Sequence, residues 1–170
     1  NYSRVIAETL DLPLEQCEII EHSAPMHDIG KIGMPDHILL KRGRLNAAEW
    51  AVMRSHAGIG YEILKDSQST YLQAGAEIAI CHHERFDGGG YPFGMKGKDI
   101  PIAARIVAVA DVFDALVSAR PYKEAWSVQR ALDYLVCERN RQFDAECVDA
   151  FLAQIDLVID THQEFRSQVV

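Results

Sequence analysis

Imidazole and carboxylate side chains gather at three places in this chain: the doublet His27-Asp28, the doublet His82-His83, and Asp111 inside the apolar run IPIAARIVAVADVFDALVSA. His56 stands alone in RSHAGIG. Taken singly, each has an ordinary explanation. A lone helical histidine such as His56 is more often a core or solvated residue than a ligand, and His82-His83 reads as a solvated pair at a helix end. Asp111 is harder to set aside. It sits among Ile106, Val107, Val109, Val112 and Phe113, where a carboxylate without a partner is costly. Some cation must meet it, a metal or a lysine from elsewhere, because Arg105 lies on a different helix face.

Taken together, these residues suggest metal chemistry. Neighbouring helix residues point about 100° apart, so a doublet serves two ions a few ångströms apart more readily than one. Two doublets plus a bridging Asp111 describe a dinuclear site. Mixed imidazole and carboxylate donors suit Mn, Fe, Ni or Zn better than Ca or Mg. Two metals roughly 3.5–4 Å apart are a recurring device for phosphoester hydrolysis, one generating hydroxide and both stabilising oxygen charge. Lys31, three residues past Asp28 on a helical turn, would bring an ammonium to the same cavity; the alternative is an ordinary surface lysine.

The elements that must hold these groups read as helices. Residues 2–10 look like the tail of one, and 15–26 like a second with Cys17, Ile20 and Ala24 on one face. Asn46 and Glu49 form a capping-box pattern opening a helix to about Leu64. A helix over 71–83 ends at the two histidines. Pro101 starts a long apolar helix to about Ser118, Ser127 caps 128–137, and Asp144 caps a last helix to about Ile159. Residues 84–100, with five glycines, form a long irregular segment of the kind that is usually functional. No alternating strand pair emerges, so the expected fold is all-α.

The 170 residues are enough for one domain with a sizeable core, and 48% hydrophobic with 25% charged residues is ordinary for a globular chain. No apolar run approaches the roughly 18 residues of a membrane span. The net charge of −8 argues against a general nucleic-acid surface. It leaves room for a small anion, because bound cations and a few basic side chains reverse the local sign. Cys17, Cys81, Cys137 and Cys147 form no CxxC pair and read as reduced thiols. NYSRVIAETLDL already carries helical spacing at Val5, Ile6 and Leu10, which suggests a fragment of a longer, multidomain protein.

HDIGKIG at 27–33, HHERFDGGGYP at 82–92 and RPYK at 120–123 resemble an HD-GYP domain, a subgroup of the HD metal-dependent phosphohydrolases. The resemblance runs from about residue 2 to about 153, including FDAECVDAF near the end. It implies one all-α domain over 1–170, a multi-helix HD-domain bundle with a Gly-rich loop over 84–100. It also implies hydrolysis of cyclic di-GMP to pGpG, GMP or both through metal-activated hydroxide, in a bacterial cytoplasm. By similarity the metal ligands are His27, Asp28, His56, His82, His83 and Asp111, for two divalent transition metals, iron or manganese first and nickel or zinc next. Asn1 stands where many members carry a further histidine, which disfavours a third metal. Asp28 and Lys31 take catalytic roles, Lys31 by protonating the leaving group or holding the phosphate. Tyr91 and Gly90 of the Gly-Tyr-Pro turn, with Arg120 and Lys123, contact the dinucleotide; Gly90 lets backbone approach it closely. Arg85 and Asp87 brace the loop by ion pairing, and Asp114 orients a ligand or Lys31. Partners implied are cyclic di-GMP, an upstream receiver or sensor domain, and a diguanylate cyclase (GGDEF) docking on the 84–100 loop. The alternatives are a cyclic di-GMP sensing or docking module with weak catalysis, and a phosphohydrolase of another nucleotide.

Overall fold

The computed structural model describes residues 2–119, 124–156 and 159; Asn1, Arg120 and Lys123 lie outside these. Among the described residues the chain is all-helical, with a lone backbone bridge between Arg139 and Phe143 and no strand. The α-helices are α1 (Tyr2–Thr9), α2 (Leu14–Ser23), α3 (Asp36–Leu39), α4 (Ala47–Arg54), α5 (His56–Leu64), α6 (Thr70–Cys81), α7 (Ile102–Val117), α8 (Val128–Cys137) and α9 (Ala145–Ala153). Two 3₁₀ segments, Ala24–Gly33 and Gly97–Asp99, complete the set.

Helix α7 has so few polar side chains that ten of its 16 residues are buried, and it runs through the middle of the molecule. Ile106, Val109 and Phe113 pack with Ile6 of α1, Ile20 of α2, Ile78 of α6, Leu135 of α8 and Phe151 of α9. Tyr2, Phe113 and Phe151 meet edge to face with ring centroids 4.8–6.0 Å apart. A smaller cluster of Cys81, Ile100 and Ala104, with Ile80 and Met95 against it, lies beneath the Gly-rich loop. Several helix starts are built as the sequence suggests. The Asn46–Glu49 capping box is complete, the Ser127 hydroxyl accepts from the Arg130 amide, and the Asp144 carboxylate accepts from the Glu146 amide.

The structure differs from expectation at two points that matter for the site. The helix expected over 46–64 is two helices meeting at Ser55. Both the Ser55 amide (3.0 Å) and its hydroxyl (2.7 Å) donate to the Val52 carbonyl, which draws it out of the regular ladder and turns the chain just before His56. The helix expected over 15–26 stops at Ser23. Pro25, without an amide proton, cannot continue the α ladder, and the chain tightens into the 3₁₀ segment carrying His27, Asp28 and Lys31. At three residues per turn, Asp28 and Lys31 share one face. The last helix is interrupted by a turn at Gln154, after which residues 155, 156 and 159 are again helical.

Candidate metal centre

Four elements converge on the site. The 3₁₀ segment lies directly on α5: a Cβ added at Gly30 would stand 1.9 Å from the His56 carbonyl oxygen and 2.5 Å from the Gly60 amide. Only glycine allows that approach, which sets Asp28 beside His56. The end of α6 brings His82 and His83, and α7 brings Asp111.

Three imidazoles are fixed by one device. Nδ1 of His27 donates to the Ala24 carbonyl (2.8 Å), that of His56 to Met53 (2.7 Å) and that of His82 to Ala79 (3.0 Å). A carbonyl only accepts, so Nδ1 carries a proton in each ring and Nε2 faces inward. Nε2 of His56 and of His82 lie 3.4 and 3.9 Å from Asp28 Oδ1. Nε2 of His27 lies 3.4 Å from both Asp28 Oδ2 and Asp111 Oδ1. His83 Nε2 is 3.1 Å from His56 Nε2. The donor atoms of Asp28, His56, His82 and His83 all lie within 4.8 Å of one another.

This donor set fits a metal ion. His82 Nε2 is buried without a hydrogen-bond partner, an arrangement that costs free energy unless a cation meets the lone pair. The protonation states agree. Burial pushes His82 down to about 4 and His83 down to about 3, so both are neutral donors at pH 7. Burial also pushes His27 down, but the Asp111 and Asp28 carboxylates outweigh it and hold the imidazole up at about 10. Burial raises Asp28 and Asp111, yet His27, joined at Asp28 by Lys31, holds both below the usual carboxylate range. The proton on His27 sits where a second cation would neutralise the same two carboxylates.

Those directions give a pH dependence for the metal-stripped protein. His82 and His83 have folded values below the ordinary 6.5, so their contribution to stability is complete above pH 6.5 and is lost as pH falls toward 4. His27, raised to about 10, contributes fully throughout that window and loses its contribution progressively as pH rises from 6.5 through 10. The melting temperature without metal should therefore drop between pH 6.5 and 4, with a shallower slope in His83→Gln.

The adjacent histidines depart from the expectation that each serves a different ion. His82 is the C-terminal cap of α6 and His83 already lies in the following turn, so the 100° helical offset no longer applies. Their rings stand 3.9 Å apart and both reach the four-residue cluster. Lys31 Nζ pairs with Asp28 Oδ2. Asp114 is exposed, and its charge reaches Tyr2. Arg85 pairs with Asp87 (2.8 Å) and reaches Glu138 (3.5 Å), and Asp87 also accepts from the Gly89 amide. The Phe86 and Asp87 amides donate to the Gln142 and Arg141 carbonyls, which fastens the loop to the α8–α9 turn. At Gly90 the space a Cβ would need is filled by the loop's own backbone, with the Arg85 amide at 2.3 Å, and is not left open for a ligand. The Tyr91 ring stacks on His83 at 4.7 Å. The metal face is one wall of a pocket of about 320 Å³ that Gly90, Tyr91 and Asp111 also line.

Sequence reasoning missed two residues here. Glu84, 3% exposed, accepts from the Phe93 amide (2.7 Å) and the Met95 amide (2.9 Å), folding the loop over its own start. Its position directly after two ligands was the available signal. Glu84→Ala leaves both amides unpaired. It should cost about 1.5–3 kcal/mol in urea denaturation and speed hydrogen exchange at Phe93 and Met95. The second is Arg54, whose guanidinium lies 4.9 Å over the Tyr91 ring; nothing in its spacing marks it.

The sequence profile of the HD domain family matches residues 1–147. The chain belongs to the HD domain family. This HD domain is 58% identical over 148 residues to the "Cyclic di-GMP phosphodiesterase response regulator RpfG" of Xanthomonas campestris, covering 87% of the chain and 39% of that protein. It is 41% identical over 155 residues to "3'3'-cGAMP-specific phosphodiesterase 2" of Vibrio cholerae, covering 91% of the chain and 30% of that protein. The HD domain thus spans well under half the length of these curated relatives. Among solved structures it superposes on an HD-GYP protein of Bdellovibrio bacteriovorus with a TM-score of 0.69 at 19% identity, over 91% of this chain and 49% of the other; at that identity the match speaks for the all-helical fold.

Proposed function

We propose that this HD domain is a metal-dependent phosphodiesterase that hydrolyses cyclic di-GMP. The observation that carries the reading is the unpartnered, buried His82 Nε2 at the centre of converging donors. Asp28, His56, His82 and His83 would hold one divalent ion, and His27 and Asp111, sharing Asp28, a second, with iron or manganese the first choices. Such ions supply Lewis acidity for a phosphoryl group and acidify water. Around them the chain's own residues do the positioning. The backbone carbonyls of Ala24, Met53 and Ala79 fix three imidazoles in one tautomer. Lys31 neutralises one oxygen of Asp28 and offers a proton and a positive charge to the leaving oxygen of the diester. Tyr91, stacked on His83, walls the pocket on the loop side.

The relatives' names support a cyclic dinucleotide as substrate. A second reading, 3'3'-cGAMP, is favoured by the Vibrio relative whose name carries that specificity. The decisive experiment incubates the Mn²⁺-loaded or anaerobically Fe²⁺-loaded protein with each dinucleotide and resolves products by chromatography. pGpG or GMP from cyclic di-GMP, absent in His83→Ala, supports the first reading. Turnover of cGAMP alone supports the second. Tight binding without turnover would favour a sensing module, for which a diguanylate cyclase partner would meet the loop tip at Phe93, 68% exposed. An upstream receiver or sensor domain fits the Xanthomonas relative's name, a response regulator. Cyclic di-GMP as substrate goes with a bacterial cytoplasmic location, and no described helix is long and apolar enough to cross a membrane.

A further inference from the structure

A pocket of about 320 Å³ at the metal face lies near the lower end of the roughly 300–1,000 Å³ typical of ligand sites. A cyclic dinucleotide carries two bases and two phosphates, and only one phosphate can stand at the ions. A groove of about 1270 Å³ opens between α5, α6 and the loop tip, lined by apolar side chains that include Ile59, Ile80, Phe93 and Met95. Arg54 is the residue common to the described linings of the two spaces. It ends α4, two residues before His56, and its guanidinium lies over Tyr91 at 4.9 Å and near Trp50 at 5.6 Å. It is exposed and has no carboxylate partner among the described residues, whereas Lys31 and Arg85 are each paired with an aspartate. In a chain of net charge −8, a guanidinium facing a pocket without a counter-anion is available to an incoming one.

We propose that Arg54 is a substrate-binding residue that holds the second phosphate of a cyclic dinucleotide, the one not being cleaved, while one base extends into the neighbouring groove. This rests on the reading of the site as a cyclic dinucleotide phosphodiesterase. Arg54 then contributes to KM and to the preference for a substrate with two phosphates. The ring of Tyr91 orients its planar fork.

The test compares cyclic di-GMP with bis(p-nitrophenyl) phosphate, a diester with a single phosphorus, on the metal-loaded protein. Arg54→Met keeps apolar packing on Tyr91 and removes the charge. KM for cyclic di-GMP should rise about tenfold, with a several-fold smaller change for the small diester, and Arg54→Lys should recover part of the loss. Equal losses on both diesters would overturn the proposal, since Arg54 would then only support Tyr91. An unchanged KM for cyclic di-GMP would overturn it as well. If the parent protein turns over neither diester, the phosphodiesterase reading itself has failed. Equilibrium binding of cyclic di-GMP to the parent and to Arg54→Met then decides the role of Arg54: weaker binding supports it and equal binding overturns it.

Discussion

Asp28→Ala should abolish the metal centre. One carboxylate faces His56 and His82 through Oδ1 and His27 and Lys31 through Oδ2, so it is the group common to both sets of donors. Losing it removes a ligand, leaves the Lys31 ammonium without its carboxylate partner and leaves the protonated His27 with Asp111 alone. Outer-shell partners of metal ligands typically cost 10–100-fold in affinity or activity when removed. A group shared by two ions should cost more than the upper figure, about 100-fold or greater. Metal content after dialysis and cyclic di-GMP turnover check this together. Asp87→Ala is the comparison, because it removes a carboxylate that holds only the loop and should leave metal content intact.

Gly30→Ala should be strongly destabilising although it adds a single methyl group. The added carbon meets backbone on two sides, the His56 carbonyl and the Gly60 amide, so no side-chain rotation relieves the overlap. Overpacking of this kind costs typically 1–3 kcal/mol, and a backbone clash belongs at or above the top of that range, about 3 kcal/mol. The damage is also functional. Separating the 3₁₀ segment from α5 separates Asp28 from His56. Urea denaturation should show the loss of stability, and metal affinity should fall although every ligand is still present. Gly43→Ala, at a position where an added carbon meets nothing within 4 Å, should change neither property by a comparable amount.

The sequence was most readable where structure is local. The Asn46–Glu49 box, the Ser127 and Asp144 caps and the apolar face of α7 follow from neighbours within a turn, and each appears where the pattern places it. The doublets at 27–28 and 82–83 could be recognised because unusual residue types stood side by side. Their convergence was harder to see. Whether His82 and His83 point apart or together depends on α6 ending at Cys81, just before them, which is a matter of one backbone turn. The 3₁₀ segment follows from Pro25, a residue visible in the sequence, but the resulting register of Asp28 with Lys31 needs three residues per turn rather than 3.6. Gly30 and Gly90 are set by approaches between segments, or of a loop to its own start, that no periodicity encodes. Glu84 reads as one more acid in a polar loop until its carboxylate is found 3% exposed beneath two amides. Arg54 gains meaning only from Tyr91, 37 positions away in sequence and next to it in space.

The central claim is that the converging donors bind divalent ions and that those ions carry phosphodiester hydrolysis. The most direct measurement titrates Mn²⁺ into metal-stripped protein while recording bound metal and cyclic di-GMP turnover on the same samples. We expect about two ions per chain, the number a shared carboxylate between two donor sets implies, with turnover absent at zero metal and rising with occupancy. Binding that saturates without any turnover, or turnover that is the same with the metal stripped, would contradict it.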